Sequence, residues 1–154
     1  MNERMLILSR SIRRDMAEIE TLYDRLARHP LHPDSDAETL IVVAYYLHNL
    51  YNAFESIFRS IADAFENSVQ DVDRWHSELL DRMRLDVMPL RPAVIDDDAY
   101  DALDELRRFR HLFRHAYSVE LDPLRLQLVA RKAMRLRCLY PLQLHQFLDF
   151  VESL

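Results

Sequence analysis

Residues 36–66 read DAETLIVVAYYLHNLYNAFESIFRSIADAFE, and this run decides the fold. Leu40, Leu47, Leu50, Tyr51, Phe54, Ile57, Phe58, Ile61 and Phe65 recur at three- and four-residue steps, the period of a helix rather than a strand. Ser35-Asp36-Ala37-Glu38 has the form of a capping box and sets the start. The spacing predicts one unbroken helix over 36–66. Its first half, from Leu40 to Leu47, is apolar nearly all round, which suits the centre of a bundle or a subunit interface.

Outward from this helix, the chain punctuates itself with proline and aspartate. Leu6, Ile12, Met16, Ile19, Leu22, Tyr23 and Leu26 mark a first helix over 4–28, ended by His29-Pro30 through Pro33. A third, shorter helix is expected over 70–86 around Trp75, Leu79, Leu80 and Met83, with Trp75 as a core anchor. Pro89 to Pro92 is a connector. Asp96-Asp97-Asp98 suits the start of a fourth helix, where carboxylates favour the dipole. Three adjacent aspartates can also mark a metal site, but capping explains them sufficiently. Asp122-Pro123 is an N-cap followed by proline at the first helical position, so a fifth helix starts there. Pro141 is expected to kink or split it.

The composition agrees. The 154 residues include no glycine, on which tight hairpins and phosphate-cradling loops depend, so β-rich folds, P-loops and dinucleotide fingerprints are disfavoured. The expectation is a single all-α domain of four to five helices. Cys138 is the only cysteine, which removes any disulfide framework and fits a reducing compartment. The opening Met-Asn-Glu-Arg is no signal peptide, and the longest apolar run is too short to span a bilayer, so a cytoplasmic protein is expected.

Net charge is −6, yet residues 105–137 hold nine Arg/Lys against three Asp/Glu. Such a segment suits either a phosphate-bearing partner or a solvated face whose counter-charges lie on a neighbouring helix. Within it, residues 105–117 read ELRRFRHLFRHAY. Phe109, Leu112, Phe113 and Ala116 form the expected docking stripe. Arg110, His111, Arg114, His115 and Tyr117 are expected to face away from it. On the long helix, His48, Asn52 and Glu55 share a face at i, i+4 and i+7. That spacing fits a metal pair with an acidic helper or, more commonly, a satisfied polar patch, and the HExxH pattern is missing.

Arginine and histidine together suggest a reaction. Histidine moves a proton near neutral pH, and arginine binds phosphate bidentately and stabilises charge on a phosphorane-like transition state. RNA brings its own nucleophile in the 2′-hydroxyl. The pair therefore suffices in principle for cleavage through a 2′,3′-cyclic phosphate without metal or other cofactor. No acidic pair for Mg²⁺ adjoins the motif. Ser118 lacks an identifiable oxyanion hole or orienting acid.

The eight residues Arg110-His111-Leu112-Phe113-Arg114-His115-Ala116-Tyr117 resemble the signature of the HEPN ribonuclease superfamily, and the trailing tyrosine resembles its HepT toxin branch. Arg110 matches the motif arginine, His111 the polar position, His115 the motif histidine and Tyr117 the motif tyrosine. The polar slot is often Asn or Asp in that family, so His111 departs from its pattern. The resemblance implies a HEPN helical bundle that pairs as a homodimer with two motifs in one cleft. It implies a metal-independent endoribonuclease toxin with Arg110 and His115 catalytic and His111 supporting. Arg114, one turn from Arg110, is expected either to support them by binding RNA phosphate or to pair with an acid of the neighbouring helix. It further implies silencing by an MntA-like nucleotidyltransferase antitoxin, which transfers AMP from ATP to Tyr117. A non-catalytic HEPN module that binds a nucleotide or partner is the alternative, as is a purely structural bundle.

Overall fold

A computed structural model describes residues 2–66, 74–115 and 121–154, with the side chain of His115 outside the description. Five helices follow in order: α1 (Glu3–Ala27), α2 (Ala37–Phe65), α3 (Trp75–Met83), α4 (Asp97–His115) and α5 (Pro123–Glu152). There is no strand among the described residues, only an isolated bridge between Val87 and Arg91. The expected all-α bundle with a long second helix is what forms. Helix α2 spans all but the terminal residues of the expected 36–66, and the expected first residues of α3, 70–73, lie outside the described residues.

Helix α2 is the axis of the bundle. Leu47, Leu50, Tyr51, Phe54, Ile57, Phe58 and Ile61 are each 0–1% exposed. They pack against α1, α3, α4 and α5, so α2 touches every other helix. The apolar turn from Leu40 to Leu47 largely serves this core: Leu40, Val43, Ala44 and Leu47 are buried, Val42 and Tyr46 partly so, and only Ile41 and Tyr45 are exposed. Most of its apolar surface is thus used within the chain, not left over for a subunit interface.

The helix ends follow local chemistry, with small departures from expectation. Asp36, not Ser35, caps α2 by accepting from the Thr39 N–H at 2.8 Å, and Ser35 Oγ instead accepts from His32 N–H. The Asp36 carboxyl, though exposed, is lowered below its usual range by these Thr39 contacts. Asp96 accepts from the Ala99 N–H at 2.9 Å, which supports the capping role over a metal role, and Asp122 accepts from the Leu124 N–H at 3.0 Å. Helix α5 runs through Pro141 as one element rather than splitting there, although Pro141 has no N–H to offer the preceding turn. Tyr140 beside it is anchored by stacking on Tyr23 and by donating to Glu20. No described residue has positive φ.

Trp75 is only partly buried, and its ring lies under the Arg59 guanidinium at 4.5 Å. The anchor between α3 and α4 is instead Arg91, which is 0% exposed. Its Nε donates to Glu66 at 2.7 Å, Nη1 donates to the carbonyls of Leu85 and Pro92, and Nη2 donates to the Arg82 carbonyl and Glu66. A buried guanidinium is tolerated only when its donors are satisfied and its charge is met, and here both hold. Arg91→Met takes the donor from three carbonyls and leaves Glu66 to its longer pair with Arg82 at 3.7 Å. It should cost about 3 kcal/mol or more of stability, read as a lower urea midpoint. A change under about 1 kcal/mol would show that the clip is not structural.

Candidate functional site

The site is built where α4 crosses α2. Phe109 is buried and stacks on Phe113, which is partly buried, so these two dock the helix. Leu112 does not join them. It is 49% exposed, because at three residues from Phe109 it has rotated past the edge of the contact. His111 and Arg114 are exposed, as expected. Arg110 is not turned outward but half-buried, with Nε donating to Asn52 Oδ1 across the α2–α4 interface. His115 is the last residue of α4. Ala116, Tyr117 and Ser118 lie outside the described residues.

The Arg110 contact orders the groups behind it. Because Arg110 requires the Asn52 oxygen, the Asn52 Nδ2 is turned to His48 Nε2, 3.3 Å away. That nitrogen must then accept, so the neutral His48 ring carries its proton on Nδ1. Nδ1 is buried and has no hydrogen-bond partner among the described residues. The ring packs against Phe113 with centroids 5.3 Å apart. Burial, reinforced by the charges of Arg110 and Arg114, holds the His48 pKa below its ordinary value. His48 is therefore a neutral imidazole backing a cation.

The three-residue array read on α2 is divided between two neighbours. His48 and Asn52 serve α4. Glu55, 4% exposed, pairs with His76 Nδ1 at 2.7 Å and Arg59 at 3.6 Å. No group of three or more His, Cys, Asp or Glu among the described residues is gathered as a metal ion would require. The polar-patch reading holds, with the addition that part of the patch tethers Arg110. The i, i+4 spacing of His48 and Asn52 was visible in the sequence, but not the helix they would meet.

The basic segment resolves in the same way. Arg107 and Arg108 both pair with Asp104, Arg125 with Glu105, Arg135 with Asp98, and Arg137 with Glu20 and Asp24. Five of its nine cations are thus paired locally. Arg110 and Arg114 on α4, like Arg131 and Lys132 on α5, have no carboxylate partner among the described residues. A neutral amide orients Arg110 without cancelling its charge, so the field of both cations stays available to an incoming anion.

A helical bundle with this motif late in its fourth helix is a HEPN-related protein. The chain belongs to the HepT-like protein family, whose profile matches residues 42–151, from α2 to the last turn of α5. Members of that family are generally HEPN ribonuclease toxins. No curated protein and no solved structure matches the chain. No described helix is long and apolar enough to cross a membrane.

The lowered His48 pKa has a measurable consequence. Where the unfolded chain binds a proton that the folded chain refuses, stability rises with pH. His48 should therefore contribute fully above the ordinary histidine range, and its contribution should fall as pH drops below about 6.5. Urea midpoints from pH 8 to 5 should fall less steeply for His48→Gln than for the parent protein. Parallel curves would remove His48 from the account.

Proposed function

We propose that this chain is a metal-independent endoribonuclease toxin. The single observation that carries the reading is Arg110, fixed by an amide and unmatched by any described carboxylate, on the α4 motif of a HepT-like chain. Arg110 binds the scissile phosphate and stabilises its developing charge. His115 moves the proton of the 2′-hydroxyl attack or of the departing 5′-oxygen. His111 and Arg114 support them, Arg114 as a second phosphate contact.

One chain offers one Arg110 and one His115, and a two-fold axis would double both in a shared cleft. The exposed Leu112 lies between the motif's functional residues and supplies an apolar contact for such a pairing through α4. Cleavage of single-stranded RNA should survive EDTA. Arg110→Ala and His115→Ala should each lower the rate at least ~10²-fold without altering the helical circular-dichroism signal. Light scattering should give about twice the 18.4 kDa chain mass. Loss of cleavage in EDTA, or full activity in both variants, would overturn the mechanism. A monomer would overturn the shared cleft.

Silencing is proposed to act through Tyr117, with an MntA-like nucleotidyltransferase antitoxin as the partner. Tyr117 stands seven residues past Arg110 in the sequence, two after His115. Each AMP transferred from ATP replaces the phenolic proton with a phosphodiester, releases pyrophosphate and adds about one negative charge. Arg110 and Arg114 would pair with that phosphate in the place RNA requires. Tyr117→Phe should stay nearly as active as the parent protein yet gain no adenylyl mass and escape neutralisation when incubated with the nucleotidyltransferase and ATP. Adenylyl mass on Tyr117→Phe would place the switch elsewhere.

A further inference from the structure

Asn52 has a second exposure. Besides holding Arg110, it lines a groove of about 480 Å³ between α1 and α2, whose other walls include Arg14, Glu18, Arg25, Tyr45 and Asn49. We infer that this groove is a nucleobase subsite, and that it selects guanine next to the phosphate bound by Arg110. The inference rests on the ribonuclease reading for its substrate, but its chemistry is carried by the groove itself.

Tyr45 is 55% exposed, with only a tilted ring contact among the described residues, to Tyr46 at 6.0 Å between centroids, on a helix whose other aromatics are mostly in the core. An exposed aromatic at the edge of a polar groove is the usual platform on which an unpaired base stacks. Asn49 lies one turn further along the same side of α2 and brings an amide to the base edge. Glu18 comes from α1, is exposed, and makes no hydrogen bond or ion pair among the described residues. A carboxylate only accepts, so it selects the base with adjacent N–H donors, and guanine offers N1–H and N2–H₂ side by side.

The other groups divide consistently. Asp15, the second acid in the groove, is already engaged by Ser56 at 2.9 Å and Arg14 at 3.4 Å, which leaves Glu18 as the reading carboxylate. Arg25 has no described carboxylate partner and, with Arg14, flanks the groove as a contact for neighbouring phosphates. Tyr45, Asn49 and Asn52 fall inside the family match at 42–151, whereas α1 falls outside it. The residue that would choose the base is thus supplied by a helix the family profile does not cover.

Binding separates this inference from the chemistry. The four probes are uncleavable 2′-O-methyl hexanucleotides, all-uridine or with one central guanine, adenine or cytosine among uridines, titrated into the full chain by fluorescence anisotropy. The guanine hexamer should bind about tenfold more tightly than the all-uridine one. Glu18→Gln should abolish that preference while leaving the all-uridine affinity within about twofold, and Tyr45→Ala should weaken all four. Both side chains are exposed, so neither change removes core packing. Equal affinities for the four probes, or a guanine preference undiminished in Glu18→Gln, would overturn the subsite. Parallel incubation with unmodified RNA hexamers tells the two failures apart. RNA cut without guanine preference overturns the subsite and leaves the ribonuclease reading standing. Guanine-selective binding without cutting does the reverse.

Discussion

The burial of α2 is the constraint from which the rest follows. Seven of its large side chains between Leu47 and Ile61 are almost wholly removed from water. Each contributes about 1.5–3 kcal/mol relative to an exposed position, and that sum fixes the rotation of the helix about its own axis. The polar residues on α2 then take whatever neighbours this rotation gives them. Leaving His48 Nδ1 unpaired costs about 1–3 kcal/mol, well below the apolar total, so the helix does not turn to relieve it. A cost too small to move the helix is thereby kept beside Arg110.

Charge is distributed on a related logic. Arginines that serve the bundle meet carboxylates, as Arg137 does with Glu20 and Asp24 or Arg91 with Glu66. Arg110 meets an amide. The difference matters because a carboxylate at ion-pair distance would oppose the field that a phosphate at the proposed site would feel, while an amide directs the side chain and leaves that field almost intact. Asn52→Asp would be a small change in shape and a large one in potential.

The helices were legible because each carries its own periodicity and punctuation. The caps at Asp36, Asp96 and Asp122 need only the adjacent backbone, so the residues near each boundary sufficed to place them within a residue or so. What the sequence did not reveal depends on partners far along the chain. Arg91 reads as part of a proline-rich connector, and nothing local announces that Glu66 will meet it 25 residues away. Arg110 reads as outward because its own helix has a better apolar stripe elsewhere, yet Asn52, 58 residues earlier, draws it inward. Leu112 was assigned to the stripe by spacing alone, and the width of the actual contact left it out. The motif residues were legible as a pattern, whereas the electrostatic setting of Arg110 came only from the packing of α2 against α4.

The absence of glycine, which first pointed to helices, also shapes the state that competes with the fold. No described turn uses left-handed backbone, so none depends on a residue without a Cβ. Without glycine, and with six prolines, the denatured chain ranges over fewer backbone conformations than a typical chain of its length. Less entropy is therefore lost when it orders. A bundle that retains an imidazole with one unpaired nitrogen and a fully enclosed guanidinium is helped by the stiffness of the disordered ensemble it leaves behind.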